Sequence, residues 1–320
     1  MTSASRVNNF QAVRWFAASL VVASHIYLEA SRVGIKVASL SSAANFADFG
    51  VAIFFVLSGW LMSGQMMRRD NPLRNYLWRR LVRIVPLYAL VTLGVIFFQT
   101  FISHNIEPTH WALSLLFLSQ AFGFGHPVLY VGWTLEFEMF FYLLVGATLL
   151  LKNVKARITI SAGMLVLLSS LSVLPPVVVY FAWGILGYLV QKSKFTISKL
   201  SAGALAIFLS ILLMCQIALG AQVYASVAIL GLELAILFYA LAQTWQIKSK
   251  FVELLGDSSY AQYLVHVPVL TVLVSMFANR VDSASLSFIS FIVVNALAVT
   301  TWLLIDKPVG KFGRALNIKA

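Results

Sequence analysis

The sequence predicts an all-α fold: a polytopic membrane bundle of about ten transmembrane helices with both termini cytoplasmic. Three observations predict it. First, 60% of the 320 residues are hydrophobic and only 11% are charged. Soluble domains carry roughly 25% charged residues, so this chain cannot coat a water-facing surface of its own size. The mean hydropathy of +0.89 points the same way. Soluble enzyme, disordered tail and disulfide scaffold are thereby excluded as the main class. Second, ten apolar stretches approach the ~20 residues that a helix needs to cross a bilayer. Third, the basic residues fall in alternate loops, as the positive-inside rule requires.

The stretches run 10–30, 46–66, 84–103, 129–151, 158–174, 176–191, 201–219, 222–244, 259–278 and 286–305. The fifth and sixth are short and meet at Pro175-Pro176, which reads as a tight turn. A further apolar stretch, 111–122, is too short to cross and reads as re-entrant or interfacial. Between the second and third spans lie Arg68, Arg69, Arg74, Arg79, Arg80 and Arg83. The later even loops hold Lys152, Lys155 and Arg157, then Lys192, Lys194 and Lys199, then Lys248 and Lys250. The C-terminal segment adds Lys307, Lys311, Arg314 and Lys319. With Arg6 and Arg14 that is 20 of the 23 basic residues, against Arg32, Lys36 and Arg280 in the odd loops. The net charge of +12 therefore records orientation in a lipid bilayer and not an affinity for nucleic acid. The first apolar run is too long for a signal peptide. The lone Cys215 falls within the seventh span and reads as a packing residue. The whole chain, 1–320, reads as a single integral membrane domain.

Ionisable side chains inside spans are costly and are functional candidates by default. His25 lies eleven residues after Arg14, three turns plus ~20°, so the two share one face about 16 Å apart along the axis. A cation at the cytoplasmic mouth suits an anionic cytosolic ligand. An imidazole deeper in suits proton transfer, since its ordinary pKa lies near neutrality. Glu29, one turn further, could orient the ring or favour its protonated form. Glu136 and Glu138 are ~200° apart on one helix, so at most one faces a given cavity. Arg79, Arg80 and Arg83 read first as a positive-inside anchor, and pairs at i and i+3 such as Arg80 and Arg83 also face one another and can clamp a phosphate. His266 reads as a satisfied interhelical hydrogen bond, and Glu233 shows no evident partner. His104, His110 and His126 lack metal-ligand spacing, so no metal is expected.

Several of these stretches resemble one family. The landmarks are Gln11-Ala12-Val13-Arg14-Trp15-Phe16 running to His25, and Gly50-Val51-Ala52-Ile53-Phe54-Phe55 through Ser58-Gly59-Trp60. Then come Arg79-Arg80-Leu81-Val82-Arg83 with Pro86 and Tyr88, and Trp133-Thr134-Leu135-Glu136-Phe137-Glu138 through Tyr142. The last are Leu255-Gly256-Asp257-Ser258-Ser259-Tyr260 through His266, and Asp306-Lys307-Pro308. In this order they resemble the acyltransferase-three family of integral membrane acyltransferases. The chain is most similar to the branch that acetylates exopolysaccharides and other bacterial surface glycans. The departures are Ala52, where many members carry Asp, and Asp306, where Glu is commoner.

The resemblance implies O-acyl transfer from a cytosolic acyl-CoA, usually acetyl-CoA, to a sugar hydroxyl of a glycan or glycolipid. It implies the inner membrane of a bacterium. By the match, His25 is catalytic and Glu138, not Glu136, falls on the family's glutamate position. Arg14, Arg80 and Arg83 would serve the donor, while His266 and Asp306 are matched positions in supporting roles, beside Glu29 and Glu136. Glu138 or Glu29 is expected to hold the imidazolium of His25. The competing expectation is a transporter or flippase of a lipid-linked glycan, which would fit ten spans with sparse buried charge.

Overall fold

The structure, a computed structural model, describes residues 8–35, 45–68, 71–101, 107–219, 226–277 and 280–318. Arg6, Lys36, Arg69, His104 and Lys319, named above, lie outside the described residues. Among the described residues every regular element is helical: α1 (Asn9–Arg32), α2 (Phe46–Met66), α3 (Leu73–Phe101), α4 (Pro108–Leu115), α5 (Trp133–Leu149), α6 (Val154–Ser170), α7 (Val179–Lys192), α8 (Lys199–Leu219), α9 (Val227–Gln243), α10 (Lys250–Phe277), α11 (Ser283–Thr301) and α12 (Lys307–Ile318). Each of the ten expected stretches coincides with one of these helices. Five helical segments, α2, α3, α8, α10 and Ser283–Gly313, are long and apolar enough to cross a membrane. The chain is a multi-pass membrane protein.

Several boundaries differ from expectation, and α10 begins at Lys250, ahead of the apolar stretch. α3 begins at Leu73, so the arginine cluster is helical and continuous with the apolar stretch, with Pro86 inside the helix. α11 passes through a π-helical turn at Trp302–Asp306 into α12, where a plain tail was expected. Val309, Phe312 and Leu316 recur at three- to four-residue spacing there, an amphipathic pattern shorter than a membrane span. α12 rests on α3, where Trp78 Nε1 donates to the Gly313 carbonyl at 2.9 Å.

α1 and α2 form the centre. α1 packs on α10 and α2, α2 packs on α7, and α7 packs on α9, which carries α8. Burial grades outward: 72% of the apolar window of α2 is buried, but only 28% of that of α3 and 17% of that of Ser283–Gly313. Leu93, Phe97 and Phe101 on α3 and Ile207, Phe208 and Ile211 on α8 point outward, as lipid-facing residues do. Lipid is as apolar as Leu, so helices there associate by close packing of small residues. Gly59 and Gly184 meet that need reciprocally. A Cβ on Gly59 would strike the Phe181 carbonyl of α7, and one on Gly184 would strike the Val56 carbonyl of α2.

One end of the bundle carries Arg79, Arg80 and Arg83 and the start of α1 and α10; we call it the basic end. The other carries the 116–130 loop; we call it the loop end. α4 has only eight residues and does not cross, as its length predicts. The loop after it is tied down from three sides. Tyr88 donates to the Ser114 carbonyl (2.9 Å), the Val128 N–H donates to Ser114 Oγ (2.9 Å), and Phe117 stacks on Tyr88 (centroids 4.5 Å). Cys215, expected inside the packing, is exposed on α8.

Candidate active site

A cavity of about 280 Å3 opens between α1, α2, α3, α5 and α10. Arg14, Arg79, Arg80 and Arg83 line it with Glu138, Ser58 and Tyr142, and it extends to Thr134 and Tyr263. The arginines converge because α3 is helical through them: Arg79, Arg80 and Arg83 at i, i+1 and i+4 share neighbouring faces. Four guanidinium groups against one carboxylate make a wall that favours an anion. Each is placed from behind. Arg79 Nη2 donates to Asn71 Oδ1 at 2.7 Å, and the Arg80 guanidinium lies over the Tyr142 ring at 5.5 Å. Arg14 donates to Gln11 Oε1 (3.2 Å), whose amide donates to Asp257 Oδ1 (2.8 Å). Asp306 sits in the fields of Arg83 and Arg14. Tyr260 ties the floor together by donating to the Ile84 carbonyl at 2.8 Å. The Nε of Arg80 is buried without a hydrogen-bond partner.

Glu138 accepts from Ser58 Oγ at 3.1 Å and from the Tyr142 hydroxyl in a short bond. Glu136, two residues earlier, faces the loop. Its two oxygens accept the backbone N–H groups of Ser119 (2.9 Å) and Gln120 (3.0 Å). The expectation that at most one of the pair faces a cavity is what the helix geometry delivers.

His25 does not line the cavity. Its Nδ1 lies 2.9 Å from the Val21 carbonyl. A carbonyl only accepts, so Nδ1 carries the proton and Nε2 keeps the lone pair. His266 is built the same way on α10, with Nδ1 3.2 Å from the Gln262 carbonyl. The two rings meet edge to face, centroids 4.8 Å apart at 71°. His25 is 8% exposed and His266 is fully buried. The interhelical hydrogen bond expected of His266 is not formed: its Nε2 has no partner. Its only N–H is spent on its own helix, so Nε2 can only accept, and no donor from a neighbouring helix reaches it. Beyond His266, the Tyr263 ring lies 5.9 Å away, and its hydroxyl bonds Thr134 Oγ1 at 2.6 Å. Tyr263 thus lines the cavity and borders His266. On the loop side the Tyr130 ring lies 6.1 Å from His25.

Residues 7–305 match the profile of a family described as an acyltransferase domain. The chain belongs to this acyltransferase family. It is 28% identical over 305 residues to the exopolysaccharide production protein ExoZ of Rhizobium meliloti (strain 1021), covering 85% of this chain and 92% of the relative. It is 30% identical over 172 residues to the O-acetyl transferase of Shigella phage Sf6, covering 48% of this chain and 49% of that relative. No solved structure matches. Family membership favours the acyltransferase expectation over the transporter.

In this acyltransferase Arg14, Arg80, Arg83 and Glu138 come together in one cavity, with Asp306 behind them. His25 and His266 come together next to it. Neither carboxylate expected to hold the His25 imidazolium is bound to it. Glu29 accepts from Arg32 Nη1 at 2.8 Å, and Glu138 is taken up by Ser58 and Tyr142. Glu233, for which no partner was evident, accepts from Gln216 Nε2 on α8 at 2.7 Å. Ser58, Thr134 and Tyr142 lie within the landmark stretches, but the sequence assigned them no role, and Tyr263 was not singled out. Tyr142 follows Glu138 by one turn and shares its face. Ser58 reaches Glu138 from 80 residues away, a pairing that helical spacing does not show.

Proposed function

We propose that this acyltransferase moves an acyl group, acetyl above all, from cytosolic acyl-CoA to a sugar hydroxyl of an exported glycan. The setting is the bacterial inner membrane, with ten spans and both termini cytoplasmic. The observation that carries this reading is the arginine-lined cavity that ends beside the histidine pair. Its 280 Å3 is below the roughly 300–1,000 Å3 of pockets that engulf a drug-sized ligand. It suits a narrow pantetheine arm, with the coenzyme's phosphates held at the mouth by Arg14, Arg80 and Arg83. Bidentate guanidinium–phosphate contacts favour arginine over lysine there.

The thioester would pass Thr134 and Tyr263 to reach His25. The acceptor would come from the loop end, where Tyr130 is 45% exposed and its ring borders His25. An aromatic face beside the reacting atom suits the apolar face of a pyranose. The loop that leads to Tyr130 is anchored at Ser119 and Gln120 by Glu136. The Nε2 lone pair of His25 takes the hydroxyl proton as the oxygen bonds to the acyl carbon. The carbon–sulfur bond breaks, and the thiolate leaves with a proton. General-base help of this kind is worth typically ~10²–10⁴-fold.

The test uses purified protein in lipid nanodiscs, acyl-labelled acetyl-CoA and an oligosaccharide acceptor. Label should appear in the glycan with wild type and fall to background with His25→Ala. Label transfer by His25→Ala at the wild-type rate would sink the mechanism. Glycan crossing a liposome membrane without acylation would restore the transporter.

A further inference from the structure

When His25 takes the acceptor's proton it becomes a cation, and the structure shows what faces it. Glu29 is paired with Arg32 and Glu138 with Ser58 and Tyr142, so neither carboxylate is turned to the ring. Tyr130 and, behind it, His126 border His25 on the loop side, and α11 brings no titratable side chain between 283 and 301. The group in ring contact from α10 is His266. Its Nδ1–H is committed to the Gln262 carbonyl, so Nε2 is an acceptor. That acceptor is buried and has no partner. An unsatisfied buried polar atom costs about 1–3 kcal/mol in the resting protein. A partner that arrives only during the reaction would account for it.

We propose that His266 is a positioning residue that stabilises the protonated state of His25. This rests on the acyl-transfer reading above. Two features fit. The edge-to-face contact at 4.8 Å puts the two rings against each other with no side chain between them. The Nε2 lone pair adds a dipole of the right sign in a site without bulk water. His266 neither gains nor loses a proton. The proton leaves the acceptor oxygen for His25 Nε2, and goes from the imidazolium to the departing thiolate. A neutral histidine can be buried completely at modest cost, where a carboxylate would need its own partners. Val22 and Ile26 of α1, Leu270 of α10 and Val294 of α11 form an apolar cluster on the flanking turns.

The test compares His266→Phe with His266→Gln in the labelled-transfer assay. Phe keeps the ring and removes the lone pair. Gln removes the ring and keeps an acceptor oxygen near the position of Nε2. A merely packing role predicts that Phe is the better replacement. The proposal predicts the reverse: His266→Phe loses ~10²-fold in kcat with donor KM unchanged, and His266→Gln stays within ~10-fold of wild type. His266→Leu gives the same reading as Phe should Phe not insert. Wild-type kcat in the Phe or Leu variant, or a Gln variant as slow as they are, overturns the proposal. Failure of the underlying reading looks different: wild type then transfers no label, or His25→Ala transfers as well as wild type.

Discussion

Glu136 and Glu138 are two residues apart on α5, and the two sides of that helix use a carboxylate in opposite ways. On the loop side Glu136 is saturated by the fixed N–H groups of Ser119 and Gln120. On the cavity side Glu138 is held by the hydroxyls of Ser58 and Tyr142, among the arginines. Backbone amides cannot turn away, so Glu136 is a fastening. Hydroxyls rotate and can serve a ligand, so Glu138 remains open to chemistry. Glu136 is buried and Glu138 half-buried, and the kind of donor separates them further.

The sharpest way to break this contrast is Glu138→Gln. It removes the one carboxylate from a wall of four guanidinium groups. Transfer should fall by ~10²-fold or more, a barrier increase of about 3 kcal/mol, with the melting temperature nearly unchanged. A Glu138→Gln protein that turns over like wild type would make both carboxylates structural.

Glu136→Gln should show the mirror image. The new NH2 group faces a backbone donor, and charge-assisted bonds worth roughly 1.5–3 kcal/mol each are weakened. Hydrogen exchange of residues 116–129 should speed up and the melting temperature should drop. Transfer should fall less than in Glu138→Gln, mainly through acceptor KM. Unchanged exchange in the loop would show that Ser114 and Tyr88 hold it alone.

Arg80→Lys and Arg83→Lys probe the cavity side more gently. A lysine keeps the charge and loses the planar fork, so donor KM should rise about tenfold while kcat holds. Unchanged donor KM in both would remove them from the donor site. The smallest effect on transfer belongs to the remote pair of Gln216 and Glu233. Gln216→Leu leaves the Glu233 carboxyl without its donor and should lower stability by about 1–3 kcal/mol. Transfer by the folded fraction should not change. A lost activity there would tie α8 and α9 to the site.

Helix positions were legible because hydrocarbon thickness imposes a length, and apolar runs near that length stand out against any loop. The arginine cluster and Glu138 were legible as a site because a family motif carries them. The helical start of α3 and the whole of α12 were not, because charged residues on a short amphipathic helix read as loop. His266 was misread for a local reason. The residue type fits a satisfied interhelical bond, and only its own Gln262 carbonyl shows where the single N–H goes.

By itself the sequence determined that this chain lives in lipid, where its apolar helices run, and which few ionisable groups lie within them. Helical periodicity also fixed that Glu136 and Glu138 look opposite ways and that Arg14 shares a face with His25. Periodicity refers each side chain to its own axis, and says nothing of how that axis is rotated against a neighbour. Only the tertiary structure set His25 against His266, brought Ser58 to Glu138, and placed Tyr263 on the cavity wall beside His266. The first of those meetings needs α1 and α10 to cross closely, as they do at Gly256, where an added Cβ would strike the Gln11 backbone of α1.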